Sequence, residues 1–215
     1  MSQPTPASPR CLFAHGFEGN NKGSKPSYLR ERLGLSVTAP VMYARGWCFS
    51  DQREILEEAL ITDPELELII ASSMGALAAA SAALRFPDRS LKLILLAPAF
   101  GVHELFERRA VAALGAGALA HWESRGSLPY PHRGIGETVE LPWALYGQCA
   151  AASEVSLIHP TVIIHGLADD SIEPTASLAL AARSPGVKRL IFTQDDHRLH
   201  KSFQLIDEAI KILKF

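Results

Sequence analysis

"LIIASSMGALAAA", Leu68 to Ala80, is the stretch on which the reading of the fold turns. Four strongly apolar residues run into two serines and a Met-Gly step, and then into little but alanine. A short apolar run closed by turn residues reads as a buried strand, and the alanine run as a helix with almost no side-chain bulk. Ser73 stands at the turn, with the small residues Ala71 and Gly75 two places before and after it. A serine held in a strained strand-to-helix turn exposes its hydroxyl, and only small neighbours at those two positions clear the adjoining backbone. Ala76, Ala78, Ala79 and Ala80 let the helix lie close to the sheet. Its N-terminus then points at the serine, and the Met74 amide is left as a free donor. The same run also fits an ordinary helix capped by Ser72 or Ser73. The two readings separate only if Ser73 has partners.

Working outward, strand-like runs recur at "CLFAH" (11–15), "SVTAP" (36–40), "LKLILLA" (91–97), "TVIIHG" (161–166) and "KRLIFT" (188–193), besides "LELIIA" (66–71). Several are apolar at every position, as strands covered on both faces must be. Helix-like segments alternate with them: "PSYLRERLG", "SDQREILEEALI", "PTASLALAARS" and the terminal "SFQLIDEAIKILKF". Strand alternating with helix predicts a three-layer α/β/α sandwich on a mainly parallel sheet of about six strands. One interval breaks the rhythm, an insertion at about 100–147. It begins with a helix predicted from His103 to about Trp122 and continues as "ESRGSLPYPHRGIGETVELPWALYGQC". Its length and its density of Gly, Pro and aromatics suit a lid or binding loop, or a helix with a packed surface loop. Phe100, Trp122, Trp143 and Tyr146 are its candidate pocket walls, unless they are plain core.

The 215 residues suffice for one domain, expected over 10–215 and burying about 70% of its unfolded surface. A net charge of −2 gives no footprint for nucleic acid or an anionic membrane, and neither is expected as a partner. No apolar run reaches the roughly 18 residues of a membrane span. The opening "MSQPTPASPR" lacks the apolar core of a secretory signal and predicts a disordered start over 1–9. Cys11, Cys48 and Cys149 are odd in number and widely spaced, which suggests neither disulfides nor a zinc site; Cys11 reads as a buried strand thiol. A reducing cytoplasm is the expected compartment.

Partners for Ser73 lie beyond later strand ends. Ligands of an open parallel sheet sit at the carboxyl ends of its strands, where strand order reverses. "IIHGLADDSIEP" places an acid four residues past His165, and "IFTQDDHRLHKS" places a histidine just after the last strand. "LFAHGF" allows a sharp turn that turns the Phe17 amide toward the same rim.

With these residues in view, the chain resembles the α/β-hydrolase superfamily, and within it the small bacterial esterase-like members. "HGF" (15–17), "ASSMG" (71–75), "HGLADD" (165–170) and "DDHRL" (195–199) carry the resemblance. The first two strands of larger members have no counterpart before "CLFAH", so the resemblance implies a minimal sheet. Position by position, the resemblance implies Ser73 as nucleophile, Asp169 as orienting acid and His197 as general base, with the amides of Phe17 and Met74 as oxyanion hole. It implies a serine hydrolase that cleaves carboxylic esters of small or medium acyl groups through an acyl-enzyme, without a cofactor. The partner is then a small-molecule ester or thioester. A thioesterase with the same triad, or a silent hydrolase fold used for binding, are the alternatives.

Rivals can be weighed residue by residue. Asp170 competes with Asp169, which the family spacing favours. His200 competes with His197 but is predicted to fall inside the last helix. His15 and His165 read as structural members of their turns, and Asp195 and Asp196 as turn formers. "HELFE" lacks the second histidine of a zinc motif, and no metal is expected. "GNNKGSKPS" fails the phosphate-loop spacing, although Lys22 or Lys25 could meet an anionic leaving group. "GAGALA" (115–120) falls within a helical pattern, so it is no dinucleotide fingerprint.

Overall fold

A computed structural model describes residues 9–215, so the disordered start expected over 1–9 lies, Pro9 apart, outside the described residues. In chain order the elements are β1 (Arg10–Ala14), α1 (Ser24–Glu31), β2 (Ser36–Thr38), α2 (Phe49–Thr62), β3 (Leu66–Ser72), α3 (Met74–Ala83), β4 (Lys92–Leu96) and α4 (Val102–Leu114). There follow α5 (Ala118–Arg125), β5 (Ser127–His132), β6 (Glu137–Pro142), α6 (Trp143–Ala152), β7 (Thr161–Gly166), α7 (Pro174–Arg183), β8 (Val187–Thr193) and α8 (Gln204–Ile212). Six strands form one sheet in the order β2-β1-β3-β4-β7-β8, every neighbouring pair parallel. Each matches a run of the sequence read as a strand.

The period of two sorts the strand residues into two cores. Cys11 and Phe13 of β1, with Leu68 and Ile70 of β3, pack with Leu29 of α1 and with Ile206 and Ala209 of α8. Leu12, Ala14, Ile69 and Ala71 face the other way, onto Leu56 and Leu60 of α2, the alanines of α3, Leu145 of α6 and Leu180 of α7. A sheet covered on both faces needs apolar residues at every position, and the strands supply them. Cys11 is buried among them, and that burial pushes its thiol up to about 12. Helix α3 shows no polar face because all of it but Ser81 is buried; Ala76 to Ala80 have no exposed surface.

The insertion between β4 and β7 is more ordered than its composition suggests. The helix predicted from His103 to about Trp122 is two helices, and α6 carries the block past 147 to Ala152. The break comes at Gly115, whose φ of 85° and ψ of −173° suit a residue without Cβ, and Gly117 then caps α5. Where a loop was expected, β5 and β6 form an antiparallel hairpin. Pro129 and Pro131 lie in β5, yet the ladder survives. Gly126 accepts the Trp143 N–H, which places the ladder bonds on the parity of Leu128, Tyr130 and His132 and turns both prolines outward.

Candidate active site

The strand order reverses between β1 and β3: β1 leads outward to β2, and the chain returns to start β3 on its other side. The site lies over the carboxyl ends of these strands, where the loops leave in opposite directions and open a crevice. Ser73 sits directly after β3 with φ 55° and ψ −126°, a strained conformation for a residue with a Cβ. Its own N–H bonds to the Leu96 carbonyl, which locks the turn. A Cβ on Gly75 would lie 2.4 Å from the His15 carbonyl oxygen and 2.7 Å from that of Ala14, so only glycine lets α3 start this close to β1. Neither serine side chain caps the helix.

The imidazole of His197 lies between Ser73 and Asp169, its Nε2 2.8 Å from Ser73 Oγ and its Nδ1 2.6 Å from Asp169 Oδ2. A carboxylate has no proton to give, so Nδ1 donates and Nε2 is left facing the hydroxyl. The contact spans 124 residues, and Gly166 makes it possible: a Cβ there would meet the carbonyl oxygens of Asp195 and Asp196 at 2.3 and 2.6 Å. The loop after β8 can therefore cross the end of β7. Asp195 holds that loop by accepting from the Ser202 hydroxyl and the Lys201 N–H. Helix α8 begins only at Gln204, so His200 lies in the turn before it, not in the helix as predicted, and lines the cavity without a hydrogen bond to Ser73 or Asp169.

Asp169 is saturated with donors. Oδ1 accepts the N–H groups of Ser171 and Ile172, both at 2.9 Å, and Oδ2 accepts from His197 and from His165 Nε2, at 3.0 Å. Burial works to raise the carboxyl, but the bonds from His165 and His197 outweigh it and hold the group well below the usual carboxylate range. The Ser177 hydroxyl donates to the other ring nitrogen of His165 and fixes that ring. His165 is thus structural, as read from the sequence, but its partner is the acid itself. Asp170 is exposed and holds only the Ser171 hydroxyl.

The N–H groups of Phe17 and Met74 have no acceptor among the described residues, and both residues line the cavity with Ser73. His15 keeps the Phe17 turn in place: Nε2 accepts the Met42 N–H at 3.0 Å while Nδ1 faces the Gly16 carbonyl. The hairpin adds a tie that carries no local signal in the sequence. His132 Nε2 donates to the Phe17 carbonyl at 2.7 Å, and the Tyr130 hydroxyl donates to Glu18 at 2.6 Å.

The cavity above Ser73 measures about 430 Å³, the size of a small-molecule site. Its apolar lining includes Val102, Leu105 and Phe106, one face of α4, together with Phe13, Phe17, Met74 and Ile172. Phe100, Trp122, Trp143 and Tyr146, the walls suggested by the sequence, lie elsewhere: Trp122 is core, and Trp143 stacks on Tyr146 with ring centres 5.1 Å apart. Among the described residues no helix is long and apolar enough to cross a membrane.

No protein-family model matches the chain, and no curated protein matches it in sequence. Solved structures do match its shape. Alpha/beta hydrolase domain-containing protein 10 from mouse is 21% identical at a TM-score of 0.71, with 100% of this chain and 93% of that one covered. Est1E from Butyrivibrio proteoclasticus, solved with ferulic acid, is 20% identical at 0.70 over 94% and 86%. A structure of the metagenome-derived lipolytic enzymes LipS and LipT is 18% identical at 0.68 over 96% and 94%. At these identities the likeness speaks to the fold, and the chain is a protein of the α/β-hydrolase fold.

Proposed function

We propose that the protein is a serine hydrolase that cleaves carboxylic esters of small or medium acyl groups through an acyl-enzyme. The observation that carries this reading is the continuous line Ser73 Oγ, His197 Nε2, His197 Nδ1 and Asp169 Oδ2, beside two unclaimed amides. In the first half-reaction His197 Nε2 takes the Ser73 proton as Oγ adds to the ester carbonyl, and the carbonyl oxygen becomes an oxyanion facing the Phe17 and Met74 N–H groups. Collapse expels the alcohol, which leaves with the proton from Nε2. Water, deprotonated by the same nitrogen, then cleaves the acyl-enzyme and frees Ser73. Asp169 keeps the proton on Nδ1 and stabilises the imidazolium without taking that proton. The substrate partner is a small ester, and no step calls for a cofactor. The solved relatives that are named as esterase or lipolytic enzymes favour the same class.

The test is turnover of p-nitrophenyl esters of graded chain length. Ser73→Ala is expected to lower kcat by at least about 10⁴-fold and to abolish labelling by a fluorophosphonate probe. Activity that survives Ser73→Ala would remove the nucleophile from the mechanism.

A further inference from the structure

The wall of the cavity is charged in a way the chain as a whole is not. The chain carries 21 lysines and arginines against 23 acids. The cavity is lined by Lys25, Arg109, Arg133 and Arg198, and by one carboxylate, that of Glu18. The four cations come from the start of α1, from α4, from the β5–β6 turn and from the loop just after His197, so the fold, not a local run of sequence, gathers them. Glu18 is already engaged by the Tyr130 hydroxyl, to which Arg109 also donates. Lys25 Nζ donates to the Arg198 carbonyl at 2.7 Å. Arg133 and Arg198 make no side-chain hydrogen bond among the described residues, and none of the four cations has a carboxylate partner. Asp196 accepts the Arg198 N–H, and its charge and that of Asp195 act on Lys25, whose ammonium burial pulls down to about 8, so the unopposed positive charge of the wall rests on the arginines. Elsewhere Arg10, Arg45 and Arg53 are paired, whereas the exposed Arg32, Arg85, Arg125 and Arg189 have no salt bridge among the described residues, so what marks the cavity is the gathering of its cations around one concave site.

Like charges left unpaired around one concave site repel each other and focus a positive potential into it, an arrangement that an anion relieves. We propose that the substrate is an anionic ester, one bearing a carboxylate or a phosphate away from the scissile carbonyl, held by Arg133 and Arg198 while the ester lies over Ser73. This deepens the hydrolase reading and rests on it.

The experiment compares esters matched except for charge. On the acyl side, p-nitrophenyl hydrogen adipate is set against p-nitrophenyl hexanoate. On the alcohol side, the acetyl esters of 4-hydroxybenzoate and 4-hydroxyphenyl phosphate are set against that of 4-hydroxybenzamide, which separates carboxylate from phosphate. In at least one pair the anion is expected to lead in kcat/KM by about tenfold or more at low salt. The lead is expected to shrink to about twofold at 1 M salt, where the Debye length falls to about 3 Å. In the double variant Arg133→Gln, Arg198→Gln it is expected to approach parity. Neutral esters turned over as fast as anionic ones would overturn the proposal and leave the hydrolase reading standing, as would a lead that neither salt nor the double variant reduces. No turnover of any ester, with Ser73 unlabelled, would sink both.

Discussion

His132→Phe is the substitution that best separates packing from positioning at this site. The His132 ring is 1% exposed and sits among aromatic rings, with centres 5.0 Å from Phe17 and 4.8 Å from Trp47. Nε2 donates to the Phe17 carbonyl, whereas Nδ1 is buried without a partner. Phenylalanine keeps the ring and its contacts but orphans that carbonyl, a loss of about 1–3 kcal/mol. It also removes the orphaned Nδ1, which in the native protein carries a penalty of comparable size. The two changes offset, so the melting temperature is expected to move by no more than about 4 °C, as a net change near 1 kcal/mol does in a chain of this length. Activity has no such offset. The carbonyl that His132 holds and the N–H proposed for the oxyanion flank the same Phe17 Cα, so freeing one tilts the other. Losing an oxyanion donor outright costs about 10²–10³ in kcat, and mis-aiming one is expected to cost about tenfold. The assay is steady-state hydrolysis of a neutral p-nitrophenyl ester beside a thermal melt. A fall in kcat with KM unchanged is the expected signature, since the amide acts on the oxyanion and not on the bound ester. Unchanged kcat at an unchanged melting temperature would mean that the aromatic contacts and the Tyr130–Glu18 bond hold the loop without the His132 tie.

Two further substitutions test the frame of the site. Gly75→Ala pushes a methyl into the backbone of Ala14 and His15, which cannot yield as a side chain can, and is expected to cost about 3 kcal/mol in urea denaturation. Asp169→Asn addresses pH. The folded carboxyl lies below its unfolded value of about 3.9, so its stabilisation is complete above that value and drains away as the pH falls toward the folded value. The wild-type urea midpoint is therefore expected to drop more steeply below about pH 4 than that of Asp169→Asn.

What the sequence discloses and what it hides divide along a physical line. The strands were legible because a strand covered on both faces must be apolar throughout, and "LKLILL" or "TVIIHG" has few other uses. The turn at Ser73 was legible because its strain leaves a local mark, small residues two places either side. Hidden were features whose cause lies elsewhere in the chain. Pro129 and Pro131 mask β5, since only its pairing with β6 reveals that both occupy positions that owe no N–H. The break at Gly115 was open to view, but a glycine inside a helical pattern decides nothing until its φ is known. The choice between wall and core for Trp122, Trp143 and Tyr146 was also hidden, since it is settled by their packing on one another, while Val102, Leu105 and Phe106 line the cavity with Ser73.

The hairpin changes how the insertion is to be understood. A lid closes over a site and leaves it, which requires few ties to the parts that position the reacting atoms. Here β5 reaches back across 115 residues to the Phe17 carbonyl and across 112 to Glu18, the very turn that carries one of the two unclaimed amides. With α4 supplying part of the apolar lining, the inserted block builds the site more than it covers it. The turn belongs to the same tie: Gly134 packs so closely on the Glu18 carbonyl and the His132 ring that a Cβ there would run into both. Breaking the ties at His132 and Tyr130 should therefore lower catalysis even where the inserted block stays folded.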